Sequence, residues 1–462
     1  MYLQTYPIKS LSLTVVCFSQ THNEEGSYIS LPGTLEIEEA AATLDTRGAE
    51  ATGRLHTSRI VALAASLRLG ILWLVVTHFP HDWLFGRGIE LGLVADNLQA
   101  GRGFSSPYGG STGPTALLAP GYPAVIAVIF RLFGSFTFTS EIVVMLMQIA
   151  FASLTVLVMM RVAHRMFGAS AANVAGTIWA VSIPLLWMPT IFWESCISTL
   201  LLVSLIALAL RCVRRPSVAM WVLLGAASGG AALINPALLL VCLAIIGWTA
   251  YQCRRGPSSH YALLSVLTAF LVLAPWVVRN ERTLHAFIPV RSCFGFELWN
   301  GNQPGGGGLL QEGLHPTYNR SELALYTSLG EVRYMQQKAT LAKAFIRSHS
   351  GEFLRLTLKR VVLFWTGAGQ PAGGSTSGVI VFFAMFTTVL GIAGLVLLLR
   401  KRKALALLYA LPMVIFPLPY YITHADLRYR LVLDPLMTIL AAYALTRAYS
   451  QMSGTRTLEP EA

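Results

Sequence analysis

Two carboxylates stand where an apolar chain has little reason to keep them. Glu90 lies in GIELGLVADNLQ, where Leu91, Val94, Ala95 and Leu98 share one face of a helix over about 89–100. Glu90 and Asn97, seven residues apart, fall together at the edge of that face, while Asp96 points elsewhere. A carboxylate held on a half-buried helix can have its proton affinity raised and serve as a general base; the alternative is a solvated helix charge. Glu194, in WESCIS, opens a second apolar run. A carboxylate in such a run is a functional candidate by default, and otherwise a residue of the polar boundary. Together the two acids are able to seat a metal, or to divide proton transfer and acceptor orientation between them. Arginines offer the complementary chemistry. Arg279 and Arg291 follow Pro275-Trp276, with an Asn/Gly cluster at Asn300, Gly301 and Asn302 beyond them, and Arg428 and Arg430 flank Tyr429 in HADLRYRLVLDPL. Guanidinium groups at headgroup depth suit a phosphate; an interfacial anchor is the other reading of the Arg428/Arg430 pair.

The elements that position these residues are membrane helices. Of 462 residues 54% are hydrophobic and only 12% charged, against roughly 25% in soluble proteins. Apolar runs recur over 59–79, 141–163, 171–188, 191–211, 217–235, 236–253, 260–279, 378–400, 404–421 and 431–448. The net charge of +12 arises largely from loop Arg and Lys, so it speaks for cytoplasmic loops rather than nucleic acid. The six cysteines (17, 196, 212, 242, 253 and 293) form neither a metal spacing nor a disulfide framework. The absence of such spacing leans against an obligatory metal, with a divalent ion as the alternative. The Gly305–Gly308 run lacks a following GKS or GKT and reads as a flexible loop.

Charge parity sets the sidedness. The basic loops RVAHR (161–165), RCVRR (211–215), Arg254-Arg255 and RKRK (400–403) all belong inside. That holds only if the short piece 116–133, which opens with Pro120 and Pro123, dips into or lies along the membrane instead of crossing it. The expectation is therefore ten full spans plus one re-entrant or interfacial helix, with both termini cytoplasmic. Outside lie the Glu90 loop (80–140 with the partial helix), the turn at Glu194, the segment 280–377 and the stretch 424–430. Within 280–377, one amphipathic helix is expected from Glu322 to Ser348 and a second, suited to the membrane surface, from Gly351 to Trp365. Residues 1–58 are expected to form a flexible cytoplasmic tail, 59–279 a seven-span core, 378–448 the closing spans, and 449–462 a second tail. Asn235-Pro236 breaks the helix between two spans.

In order along the chain, Glu90…Ala95-x-Asn97-Leu98…Gly101-Arg102-Gly103-Phe104-Ser105, Pro120-Gly121-Tyr122-Pro123, Leu132-Phe133-Gly134, Asn235-Pro236, Pro275-Trp276-x-x-Arg279-Asn280 and Arg428-Tyr429-Arg430 resemble the GT-C class of membrane glycosyltransferases. The nearest patterns are those of the protein mannosyltransferase-like and lipid A aminoarabinose transferase-like enzymes. The resemblance covers most of 60–448. It implies an all-α polytopic membrane protein with a seven-span core, an acid in the first outer loop, a polyprenyl-phosphate sugar donor and inverting transfer on the outer face. Mapped residue by residue, Glu90 takes the base position and Glu194 the acidic position of the second outer loop. Arg428, Arg430 and Arg279 would face the donor phosphate, and Asn97, Arg102, Tyr122, Asn300 and Asn302 would contact substrate. Relatives often carry Asp at the base position, some in an Asp-Glu pair, where this chain has Gly88-Ile89-Glu90.

The function expected is glycosyl transfer from a lipid-linked sugar to a lipid, glycan or protein acceptor by an integral protein of a bacterial inner membrane, with the lipid bilayer as its partner and no nucleic acid. A lipid or sugar transporter, or a non-catalytic member of the same fold, are the alternatives. A transporter would favour broken helices in both halves, whereas the sequence shows one break, at Asn235-Pro236.

Overall fold

The computed structural model describes residues 54–79, 83–254, 260–368 and 376–453. Of the expected tails 1–58 and 449–462, residues 1–53 and 454–462 lie outside them. The described chain is all-α: α1 Thr57–His78, α2 Ile89–Gln99, α3 Gly121–Phe133, α4 Phe138–Val181, α5 Ser195–Arg214, α6 Val218–Ile234, α7 Leu238–Gln252, α8 Tyr261–Leu284, α9 Phe294–Gly301, α10 Arg320–Leu329, α11 Glu331–Ser348, α12 Ser350–Thr366, α13 Thr376–Lys401, α14 Lys403–Ile415 and α15 Asp434–Met452.

Six described helices are long and apolar enough to cross a membrane, and α3, α6 and α7 are apolar but shorter. The protein is an integral, polytopic membrane protein. α4 is a hairpin rather than one rod. Gly168 has φ 88 in its middle, and a Cβ on Gly176 would meet Met160 Sδ at 2.6 Å, a contact that sixteen residues of straight helix would hold about 24 Å apart. The two runs expected at 141–163 and 171–188 are its arms. The second ends at Val181 because Ser182 is extended and Pro184 starts a separate turn, 183–187. The expected spans 217–235, 236–253 and 431–448 fall on α6, α7 and α15. α3, at 13 residues, is about 20 Å long against a hydrocarbon core of about 30 Å.

Two expected boundaries differ. The run 322–348 is two helices, not one, since Gly330 at φ 72 takes the chain out of helical geometry. α8 does not stop at the expected 279 but runs through Pro275 to Leu284. An interior proline forfeits one backbone bond at a cost of about 3 kcal/mol, and the helix beyond it is tied down. Trp276 donates to Val290 O at 2.8 Å, Arg279 to Thr115 O and Phe104 O, and Asn280 to Ile288 O.

Two apolar cores result. One joins α1, both arms of α4, α5, α6, α7, α14 and α15 through residues such as Trp179, Trp221, Tyr409 and Met437. The other is richer in aromatics and lies under the loops: Phe85, Leu91, Tyr108, Tyr122, Phe192, Phe296, Tyr326 and Tyr334. It is this second core that holds α2, α3 and the segment after α8 against one another. In the membrane part, where lipid is as apolar as a side chain, close packing replaces the hydrophobic drive. Gly225 and Gly229 on α6 let the backbone of α8 approach at Ser265 and Ala269. A Cβ at Gly229 would lie 2.7 Å from Ala269 O and 2.8 Å from Val272 Cβ. Gly229→Val is therefore expected to cost about 1–3 kcal/mol, read as a lowered thermal midpoint in detergent; an unchanged midpoint would mean that α6 and α8 do not meet there.

Candidate active site

Glu90 sits in the first turn of α2, where Gly88 permits the tight approach of the turn before α5. A Cβ on Gly88 would meet Phe192 O at 2.5 Å and Trp193 Nε1 at 3.3 Å. Leu91, Val94 and Ala95 are buried in the aromatic core as the helical period requires. Glu90 itself is 8% exposed. Its Oε1 accepts the Thr317 hydroxyl at 2.7 Å and faces His315 Nδ1 at 3.5 Å. The His315 ring is held edge-on by Tyr108 and Phe296, with centroids at 5.5 and 5.4 Å. The Tyr108 phenol is buried, its oxygen without a hydrogen-bond partner. Burial foremost, then the charges near Tyr326 and Glu90, push its pKa well above the ordinary value, so it stays a neutral O–H donor.

Glu194 stands immediately before α5. It lines a narrow cleft with Leu91, Leu118, Tyr122, Trp193 and Arg291. Leu91 is the neighbour of Glu90, so the cleft lies beside the start of α2. Arg428 lays its guanidinium over the Trp193 ring, 4.5 Å from the centroid. Burial works against the charge of Arg291, and the groups around it, Cys293, Glu297 and Glu194, outweigh that and raise its pKa. The Cys293 thiol is itself pushed up to about 12 by burial, which leaves the two carboxylates to carry the effect. Arg428 is likewise opposed by burial and raised by Tyr429, Asp426 and Glu194. Neither arginine holds a tight carboxylate. Arg291 is 3.9 Å from Glu297 and Arg428 3.3 Å from Asp426, so N–H capacity remains for an anion. His424 completes the group, with Nδ1 3.4 Å from Glu297 and Nε2 3.0 Å from the Tyr429 hydroxyl; burial foremost lowers its pKa.

The other expected site residues are placed as follows. Tyr122 lines the cleft, its hydroxyl buried and without a partner. Asn97 donates to Leu93 O and Ser105 O and accepts from Arg102, which also pairs with Asp96 at 2.7 Å. Hydrogen bonds from Ser135, Gln99 and Arg102 outweigh burial and hold the Asp96 carboxyl below its ordinary value. Asn97 and Arg102 thus brace the loop after α2. Arg279 is occupied by the carbonyls of Thr115 and Phe104. Arg430, 1% exposed, bonds Asp434, Ala384 O, Thr387 and Thr388 inside the helical core. Asn300 pairs in both directions with Gln311, and Asn302 reaches Leu298 O and Ile422 O and accepts from Arg360. Of the expected set, then, Glu194 and Tyr122 line the cleft, Arg428 stacks on its Trp193, and Glu90 lies next to it on α2.

His315, Thr317, Glu297 and Glu331 were not singled out in the sequence. Glu331 is buried and accepts from Thr115, Ala116 N and Tyr326, clasping the start of α11 to the loop before α3. The one available signal was its place just after Gly330, at a helix start. Among the described residues no three of His, Cys, Asp and Glu gather as a metal-ligand set.

Residues 118–278, about a third of the chain, match the family of dolichyl-phosphate-mannose-protein mannosyltransferases. No curated protein matches. Among solved structures, the oligosaccharyltransferase of Archaeoglobus fulgidus in the apo form is 14% identical over 87% of this chain and 52% of its own, with a TM-score of 0.52. Archaeal oligosaccharyltransferase AglB from the same organism, in complex with an inhibitory peptide and a dolichol-phosphate, is 13% identical over 87% and 51%, also at 0.52. ArnT from Cupriavidus metallidurans bound to undecaprenyl phosphate is 16% identical over 87% and 81%, at 0.37. This chain spans about half the length of the archaeal chains. Its fold is that of the GT-C membrane glycosyltransferases.

Proposed function

We propose that the protein transfers a sugar from a polyprenyl-phosphate donor to a hydroxyl or amine acceptor on the outer face of a bacterial inner membrane, with inversion. The observation that carries this reading is a cleft beside the helix that bears Glu90, lined by Glu194, Arg291 and the Trp193 on which Arg428 stacks, on a GT-C fold. The Glu90 carboxylate takes the acceptor's proton as the nucleophile attacks the anomeric carbon. The bond from that carbon to the phosphate oxygen breaks, and polyprenyl phosphate leaves with the electron pair. Arg428, seconded by Arg291, meets the charge growing on the phosphate in a site largely closed to water, where a fixed cation stabilises it most. Glu194 keeps both guanidinium groups turned towards the cleft and orients the acceptor. Arg279 and Arg430 shape the scaffold. Radiolabelled polyprenyl-phosphate sugars offered to the purified protein in vesicles, with membrane extract as acceptor, test the reading. Label should pass to an acceptor; label that only crosses the vesicle wall would identify a transporter instead.

A further inference from the structure

The Glu90 carboxylate is covered, and what covers it comes from a segment more than two hundred residues away. Between α9 and α10 the chain makes a short strap. One end is fixed by Asn300, which donates to Gln311 O at 2.9 Å and accepts from Gln311 N at 2.8 Å. The other end is fixed by Asn319, which caps α10 by accepting from the amides of Ser321 and Glu322 and donates to Gly313 O at 2.7 Å. Between these anchors the strap is a closed turn, since the amides of Tyr318 and Asn319 both donate to His315 O. Towards the body of the protein it presents the Thr317 hydroxyl and the His315 ring. Thr317 donates its O–H to Glu90 Oε1 at 2.7 Å. This is the bond that an acceptor hydroxyl must make with its base before transfer.

We infer that residues 312–318 are a strap that imitates the acceptor: Thr317 occupies the hydroxyl position on Glu90, and an acceptor enters only by displacing it. The inference rests on the reading of Glu90 as the base and names what stands in its way. Three further observations fit a part made to leave. His315 Nδ1 accepts from the Thr317 amide at 3.3 Å, so in its neutral form it offers Glu90 no hydrogen at that nitrogen. Its ring is met edge-on by Tyr108 and Phe296 and at a tilt by Tyr318, three residues on. Tyr108 keeps a buried hydroxyl without a partner beside it, an unused donor for whatever replaces the strap. With the strap down, water and acceptor are both kept from Glu90, and the donor is protected from hydrolysis.

The test uses the full-length protein in vesicles. A single hydrogen bond to a charged group is worth about tenfold or more, so Thr317→Ala should lower the acceptor KM by about that factor, leave kcat nearly unchanged, and raise donor hydrolysis in the absence of acceptor. Thr317→Ser, which keeps the hydroxyl, should behave as the parent. An acceptor KM that is unchanged or raised in Thr317→Ala overturns the inference. A second arm needs no activity. Deuterium uptake by the peptide 311–319 should rise in Glu90→Ala and stay at the parent level in Glu90→Gln, whose side-chain oxygen still accepts from Thr317. Equal uptake in Glu90→Ala and the parent overturns it as well. A parent protein that transfers nothing from any donor would sink the functional reading alone, while the exchange measurement still judges the strap.

Discussion

Glu90→Gln should lower sugar transfer by about 10²–10⁴-fold, the range that general-base catalysis supplies, with donor binding retained. The substitution is nearly isosteric. Its amide oxygen still accepts the Thr317 hydroxyl, so the strap over the site, the first turn of α2 and the aromatic core beneath it stay as they are. What the amide cannot do is hold the acceptor's proton. Donor binding should survive because the arginines assigned to the phosphate, Arg291 and Arg428, take their electrostatic support from Glu297, Asp426 and Glu194. The measurement is kcat and donor affinity on the same purified protein, the second by competition with unlabelled polyprenyl phosphate. A variant with full transfer removes Glu90 from the mechanism. A variant that loses donor binding moves the phosphate to the Glu90 side of the cleft.

The helices were legible because a membrane chain writes its fold in apolar length and loop charge. Ser217 and Thr137 cap their helices by accepting from residues three further on, Gly168 turns the chain at positive φ between two expected spans, and Asn235-Pro236 separates α6 from α7; each is visible as a residue type in its place, whereas the expected helix 322–348 ran straight through Gly330. The first- and second-loop acids were visible for the same reason: a carboxylate beside an apolar run needs an explanation. The partners of those acids were not. Glu90 meets Thr317 across a sequence separation of 227, and nothing local in HPTYN announces that contact. Polar residues with equal claims on the sequence also went different ways. Arg428 and Arg430 differ by two positions, yet on the short helix 427–431 that turns one to the Trp193 ring and the other inward, where Asp434, four residues on, takes its charge. The fourfold spacing of Arg430 and Asp434 was the readable clue. Arg279 went to structural duty because α8 runs on past the expected end at 279, carrying the guanidinium onto the carbonyls of Thr115 and Phe104.

That divergence makes the sharpest contrast in the molecule. Arg428→Ala should cut donor kcat/KM by about 10² or more, in line with loss of a preorganised donor to developing charge, and leave the thermal midpoint close to the parent. The guanidinium rests on Trp193 and Tyr429 and touches Asp426 only at 3.3 Å, so its removal strips no tight ion pair from the core. Arg428→Lys keeps the charge but loses the planar fork that both stacks on the ring and grips two phosphate oxygens, and should fall between the two. Arg430→Ala should do the opposite. It leaves Asp434, 3% exposed, without its cation, along with the carbonyl of Ala384 and the hydroxyls of Thr387 and Thr388. Breaking one side of a buried pair costs about 3–5 kcal/mol, so folded yield and midpoint should drop, while the protein that does fold keeps its donor KM. The reverse outcome, a well-folded Arg430→Ala that has lost the donor beside an Arg428→Ala that has not, would place the phosphate at the mouth of α13 and α15 and take the cleft at Glu194 out of the reaction.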